Sequence, residues 1–202
     1  LRAPTHSPRL RQGDRFHHLS APKIMSQEHD ANPPFEVDRT LPEVVQKFLV
    51  GGGKLESIRL HADGKWTHEG CDFENDRIVK LFSRSVNRTE GGTWVLEIGR
   101  FTYPIEVDDT GFFIDRIDLT EAPPSITLSD TSEESLDVST LSYDTGGRLY
   151  CTVKSGKFRA RFKRHAYYKL AELMREDDNA EGQIILELGG QKLALASIDD
   201  ED

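Results

Sequence analysis

The stretch that decides the fold is Val95-Leu96-Glu97-Ile98-Gly99, because its pattern returns 90 residues later as Ile185-Leu186-Glu187-Leu188-Gly189. Each run is apolar around one glutamate and ends in glycine, which is typical of a strand that enters a turn. The flanking sequence repeats as well. We interpret residues 55–107 and 138–197 as two copies of one unit, each made of a hairpin, a helix and a second hairpin.

The spacing between matching positions grows along the unit. Asp63-Gly64 matches Gly146-Gly147 after 83 residues, whereas Lys80-Leu81 matches Lys169-Leu170 after 89 residues. The second copy is therefore expected to carry an insertion between its first hairpin and its helix. Because a solenoid needs at least three repeats, we predict an α+β fold of two similar β-hairpin/helix/β-hairpin units packed as two lobes. The alternative is a chance resemblance between two generic arrangements.

The rest of the chain divides by composition. We predict a disordered or non-native N-terminal tail over residues 1–34, with Met25 as the biological start or an arginine-rich arm before it. The first lobe with its leading helix spans 35–120, a linker or loop 121–137, the second lobe 138–198 and an acidic tail 199–202. The leading helix is predicted to begin at a capping box, Thr40-Leu41-Pro42-Glu43, and to end at Gly51.

Composition limits the function classes. A net charge of −9 over 202 residues argues against a nucleic-acid partner, and no apolar run reaches the roughly 20 residues that a membrane span needs. Two cysteines, Cys71 and Cys151, are too few for a disulfide framework. We therefore expect a cytoplasmic protein with free thiols and without membrane, cofactor or metal; the oligomeric state stays open.

The first hairpin carries polar and aromatic candidates for ligand contact. A two-residue turn at Asp63-Gly64 would place His61 opposite Trp66 and Arg59 opposite His68, so that all four share one face of the sheet. This face could contact a ligand or the other lobe. The alternative is an ordinary half-exposed face on which Trp66 covers the helix behind it. His61 and His68 lack a third ligand for a metal site.

The second copy holds the one strongly basic segment, residues 157–163. Strict alternation predicts a strand with Phe158, Ala160 and Phe162 toward the core and the cations, including Arg159 and Arg161, outward. With His165 on the following helix, these cations could hold a small anion. They could instead pair with neighbouring acids or guard an edge strand. Asp108 and Asp109 are expected to be solvated loop acids.

Several motifs resemble, in their order, the bacterial family called domain of unknown function 1285. The resemblance covers about residues 55 to 196. In the first copy it rests on Asp63-Gly64-Lys65-Trp66 with Glu69-Gly70, on Arg77 to Ser83 and on Ile105 to Asp109. In the second copy it rests on Leu141 to Thr145, Val153-Lys154 and Tyr167 to Leu170.

The resemblance implies a two-lobed α+β fold and a ligand-binding or signalling role, without an established activity. The chain departs from the family at Gly99 to Pro104, which reads Gly-Arg-Phe-Thr-Tyr-Pro where the family usually has Thr-Pro-x-Glu. If that motif lines the family's cleft, the cleft is altered in this chain.

Two functional hypotheses follow. The first is a binding or regulatory module that holds a small anionic ligand or a protein partner between its lobes. Its candidate contacts are Arg59, His61, Trp66, His68, Arg159, Arg161 and His165. The second is a hydrolase or transferase that uses His61 or His68 as general base; the sequence shows no activated nucleophile for it, so no catalytic residue is assigned.

Overall fold

Among the described residues, three α-helices interrupt a series of short strands. The computed structural model describes residues 37–178 and 180–198. The helices are α1 (Glu43–Val50), α2 (Asp76–Ser85) and α3 (Arg164–Ala171). The α+β class and the helix that precedes the strand region are confirmed. The tails predicted over 1–34 and 199–202 lie outside the described residues.

The first unit forms two small sheets around α2. Its strands are β1 (Ile58–Leu60), β2 (Trp66–His68), β3 (Cys71–Asp72), β4 (Val86–Arg88), β5 (Trp94–Ile98), β6 (Phe101–Pro104) and β7 (Glu106–Val107). One sheet has the order β3-β2-β1-β7 and the other β4-β5-β6. In the first sheet β7 closes the unit by pairing in parallel with β1.

The second unit has the same order of strands and helix. A 3₁₀ helix (Val138–Thr140) precedes β11 (Ser142–Asp144), β12 (Leu149–Val153), β13 (Phe158–Phe162), β14 (Met174–Asp177), β15 (Ala180–Leu188), β16 (Gln191–Ala194) and β17 (Ala196–Ile198). Strands β13-β12-β11-β17 lie in that order, with β17 parallel to β11, and β14-β15-β16 form a separate sheet. Each unit thus contains the two predicted hairpins and three further strands. Two of these flank the helix, and the third closes the unit by parallel pairing.

The two units also agree in register. Glu97 pairs with Thr102, and Glu187 pairs with Lys192 at the same point of the equivalent hairpin. The predicted insertion lies between β12 and β13. Strands β2 and β3 are joined by Glu69 and Gly70 alone. The equivalent β12–β13 hairpin is six residues longer, which is the difference between the spacings of 83 and 89 residues found in the sequence.

Residues 121–137, predicted as a linker or loop, contain β9 (Ser125–Leu128) and β10 (Glu133–Ser135). With β8 (Phe112–Asp118) they extend the second unit's sheet to the order β10-β9-β8-β13-β12-β11-β17. The prediction missed the alternation of Ser125-Ile126-Thr127-Leu128, in which both apolar residues are buried, because prolines and acids dominate the surrounding composition. Strand β13 is consequently internal to the sheet and is not an edge strand.

The predicted register of the first hairpin is wrong by one residue. The loop has three residues, with Gly64 at φ +84° and its amide bonded to the His61 carbonyl oxygen over 2.8 Å, which is a common three-residue hairpin geometry. Trp66 therefore pairs with Leu60 and His68 pairs with Ile58. The second unit repeats this turn at Gly147, which has φ +72°.

The predicted capping box is also absent. Helix α1 begins at Glu43 with Pro42 at the N-cap and without a side-chain cap. The Thr40 hydroxyl instead donates to Asp38 Oδ1 over 2.6 Å and accepts from the Gly91 amide over 2.9 Å. Asp38 competes successfully for Thr40 because it lies only two residues away. The predicted end of the helix at Gly51 is confirmed.

The core extends through both units and the strands that join them. Ile114, Leu128 and Leu170 are fully buried, and Leu60 and Leu186 belong to the same continuous apolar cluster. None of the described helices combines the length and apolarity that crossing a membrane requires.

Candidate functional site

A surface pocket of about 310 Å³ lies where the β1–β2 turn of the first unit meets the junction of β13 and α3 in the second. We call it the seam pocket. Strict alternation along β13 buries Ala160 and Phe162 and leaves the cations on the opposite face. The pocket is lined by Ala62, Asp63, Phe113, Arg161, Phe162, Lys163 and Arg164. Three of these seven residues are cationic and one is acidic.

The N-terminus of α3 opens onto this pocket without a cap. Lys163 stands at the N-cap position, makes no side-chain cap, and is followed by no acid in the first turn. In the equivalent helix α2, the Asn75 side chain accepts from the Arg77 amide over 2.9 Å, and Asp76 opens the helix. A helix N-terminus attracts negative charge. In α2 the protein supplies that charge itself, whereas in α3 it supplies cations.

The three cations of the pocket differ in how they are held. Arg161 Nη1 donates to the Ala62 carbonyl oxygen over 2.8 Å and so joins the two units directly. Lys163 Nζ lies 2.8 Å from Asp115 Oδ1. The exposed Arg164 guanidinium lies 5.5 Å from the centre of the Tyr168 ring, and no ion pair is described for it.

The remaining cations of β13 pair with an acid that was expected to be solvated. The Asp109 side chain is only 7% exposed and lies 3.3 Å from Arg161 Nη1 and 3.5 Å from Arg159 Nη2. The Arg159 guanidinium also stacks 4.5 Å from the centre of the Tyr150 ring. Ion pairing with a neighbouring acid, one alternative for the basic segment, thus accounts for the charge of Arg159 and for part of the charge of Arg161.

Tyr150 links Asp109 to a second buried acid. Its hydroxyl lies 3.1 Å from Asp109 Oδ2 and 3.2 Å from Asp144 Oδ2. Burial raises the pKa of the Tyr150 hydroxyl, and the negative charges of Asp109 and Asp144 raise it more. Burial alone would raise the pKa of Asp144, but the hydrogen bonds and charge of Arg148 outweigh it, and the net pKa is lowered.

Arg59 and His61 lie on the first unit's sheet face and pair with acids of β7 and the loop after it. Arg59 Nη1 donates to Asp108 Oδ1 over 3.1 Å and its other terminal nitrogen binds Glu106. His61 has both ring nitrogens engaged, with Nδ1 3.0 Å from Asp108 Oδ2 and Nε2 2.8 Å from Thr67 Oγ1. Asp108 and Asp109 are consecutive, so this group adjoins the Asp109 network.

Trp66 and His68 lie on the opposite face of the hairpin, contrary to the prediction that all four residues share one face. Trp66 is buried, its indole nitrogen donates to Ser83 Oγ over 3.2 Å, and its ring packs edge-to-face on Phe82 of α2. This is the packing role described as the alternative for Trp66. His68 Nε2 lies 2.8 Å from Glu56 Oε2 at the surface.

The structure therefore brings only part of the predicted set to the seam. Arg161 lines the pocket, and His165 is exposed on α3 next to Arg164. Lys163 and Arg164 also line the pocket but were not among the predicted contacts. Their signal in the sequence was the break in the β13 alternation, where two consecutive cations open a helix that has no capping residue.

No group of three or more His, Cys, Asp and Glu side chains among the described residues is placed to hold a metal ion. Cys71 is exposed, whereas Cys151 is buried, and that burial raises its pKa to about 12. The thiol of Cys151 therefore stays protonated at neutral pH.

These features define a class of α+β protein in which two units of equal topology flank a basic pocket. No family model and no curated protein matches the chain. A solved structure similar to it is that of a DUF1285 family protein from Silicibacter pomeroyi DSS-3, with a TM-score of 0.53 and 22% identity over 71% of this chain and 81% of that one. A DUF1285 family protein from Shewanella baltica OS155 has a TM-score of 0.47, 16% identity and coverage of 58% and 92%. The chain thus has the fold of the first of these proteins, as its motifs implied.

Proposed function

We propose that this chain is a divergent member of the DUF1285 family and acts as a binding module for a small anionic ligand at the seam pocket. The proposal rests on one observation, the uncapped N-terminus of α3 among Arg161, Lys163 and Arg164. Free amides at a helix start and flanking cations together favour phosphate or carboxylate groups.

The ligand class follows from the size and the charges of the pocket. A volume of about 310 Å³ is at the lower end of small-molecule sites, which suits a ligand the size of a pyrophosphate or a tricarboxylate. Arg164 is the cation without a described ion pair, whereas Lys163 would share its charge between Asp115 and the ligand. Arg164 is therefore expected to contribute most of the affinity.

Calorimetric titration with pyrophosphate and citrate tests this proposal. We expect one of these anions to bind at a single site, and Arg164→Gln to weaken that binding about tenfold, the loss of one charge-assisted contact. The matched control is Arg77→Gln, which removes an exposed cation from the first turn of the equivalent helix α2 and leaves the pocket intact. Equal affinities for the two variants and the unmodified chain would contradict the proposal.

A second candidate function is a hydrolase or transferase in which His61 is the general base. The observation that favours it is the chain of contacts from Asp108 through His61 to the Thr67 hydroxyl. This is the order in which a catalytic triad arranges acid, base and nucleophile.

Turnover of p-nitrophenyl acetate tests this second candidate. His61→Ala and Thr67→Ala would both abolish turnover, whereas His68→Ala, a change on the opposite face of the hairpin, would preserve it. Turnover that survives loss of the Thr67 hydroxyl would exclude Thr67 as the nucleophile.

A further inference from the structure

The two units differ at one edge of their hairpin sheets. In the second unit, strand β13 pairs in parallel with β8, so that Ala160, Arg161 and Phe162 lie opposite Phe112, Phe113 and Ile114. In the first unit, the equivalent strand β3 is the last of its sheet within residues 37–178 and 180–198. The same four-stranded arrangement is thus extended by a further strand, β8, in the second unit and left open at β3 in the first.

Strand pairing identifies the open positions. Asp72 pairs with Thr67 as Arg161 pairs with Tyr150, so Cys71, Asp72 and Phe73 correspond to Ala160, Arg161 and Phe162. Phe73 packs edge-to-face on Phe82 of α2 with ring centres 5.1 Å apart, which holds the end of β3 against the core. Cys71 and Asp72 are exposed. The edge is therefore positioned like its covered counterpart.

The charges along the two edges are opposite. Arg161 and Lys163 follow the covered edge, and Lys163 pairs with Asp115 of the covering strand over 2.8 Å. At the same steps the open edge carries Asp72 and Glu74. A strand that covers β3 as β8 covers β13 would thus need a cation where β8 has Asp115.

We propose that the β3 edge is a docking site for a strand of a partner protein. The strand adds in parallel, with apolar residues opposite Cys71 and Phe73 and lysine or arginine opposite Asp72 and Glu74. Addition of a strand to an open sheet edge is a common mode of peptide recognition. A second copy of this chain is a poor occupant, because pairing two β3 edges would oppose acids to acids, and a short charged edge resists such self-association.

The test uses the full chain and an octapeptide with the sequence of residues 111–118 that carries Phe113→Lys and Asp115→Lys. Alkylation of Cys71 by iodoacetamide is followed by mass spectrometry, and the buried Cys151, which should stay unmodified, shows that the protein remains folded. We expect the saturating basic peptide to slow alkylation of Cys71 about fivefold. The unaltered octapeptide, which keeps both aspartates, should have no effect on that rate.

A charge-reversed protein provides the matched variant. Asp72→Lys with Glu74→Lys should lose its response to the basic peptide and gain protection by the unaltered one. Both positions are exposed, so the melting temperature should stay within a few degrees. If the variant fails to fold, amide hydrogen exchange of β3 in the unmodified chain tests the proposal instead, because docking of the peptide must slow exchange there.

The proposal is overturned if the basic peptide leaves both Cys71 alkylation and β3 exchange unchanged, or if it protects the charge-reversed protein equally well. Concentration-dependent protection without any peptide would indicate a second copy as the occupant and would overturn it too. Pyrophosphate binding is expected to be unaffected by the peptide, so this docking site and the seam pocket can fail independently.

Discussion

At the residue scale, Asp109 explains why the basic strand does not form an open cationic surface. The residue follows the end of the first unit and its carboxylate meets Arg159, Arg161 and the Tyr150 hydroxyl of the second. A buried carboxylate is tolerated only when such partners replace its hydration. The seam pocket is therefore lined by Arg161, whose charge is partly neutralised by Asp109, and by Lys163 and Arg164 at the junction of β13 and α3.

The decrease in unfolding free energy at acid pH should depend on Asp144, whose side chain is 1% exposed. Its folded pKa is below the ordinary value of 3.8, so its contribution is complete above about pH 4 and is lost as the pH falls through the lower folded pKa. We expect Asp144→Asn to cost about 1–3 kcal/mol of unfolding free energy at pH 7 and to flatten the loss of stability below pH 4.

Urea denaturation between pH 7 and pH 2.5 measures this effect. Asp178→Asn is the control, because its side chain is 89% exposed and should leave the curve nearly unchanged. An Asp144→Asn protein that loses stability below pH 4 as steeply as the unmodified chain would show that Asp144 does not cause the loss of stability at acid pH.

At the element scale, local patterns predicted the strands and helices better than their junctions. The alternation of β13 was predicted and is present. The register of the first hairpin was not, because Asp63-Gly64 fits a two-residue turn as well as the end of a three-residue loop. Only the packing of Trp66 and Leu60 on the same face selects between them, and that depends on the rest of the fold.

The glycine of this turn gives a prediction about that geometry. Gly64 has φ +84°, and an added Cβ would lie 2.9 Å from Lys163 Cε. We expect Gly64→Ala to lower the unfolding free energy by about 1–2 kcal/mol, since the left-handed backbone region is costly for alanine. Gly64→Asn should cost less, because asparagine tolerates that region. Thermal denaturation measures both variants, and an alanine variant as stable as the unmodified chain would argue against the three-residue loop.

At the scale of the whole molecule, the equal topology of the two units turns each into a reference for the other. Most of what the sequence could not predict lies where they differ: β8 covers one sheet edge and leaves the other open, and one helix is capped while the other begins among cations. The pocket itself was predictable only as a location between the units. Its lining depends on the long-range contact of Arg161 with the Ala62 carbonyl oxygen, 99 residues away in sequence.

The most direct test of anion binding at the seam pocket is an amide chemical-shift titration of the full chain with pyrophosphate. We predict the largest shifts at Ala62 and Asp63 in the β1–β2 turn and at Arg164 and His165 in the first turn of α3. The equivalent first turn of α2, at Asp76 and Arg77, should stay unchanged. Shifts confined to the arginines of residues 1–24, or no shifts at all, would contradict the account.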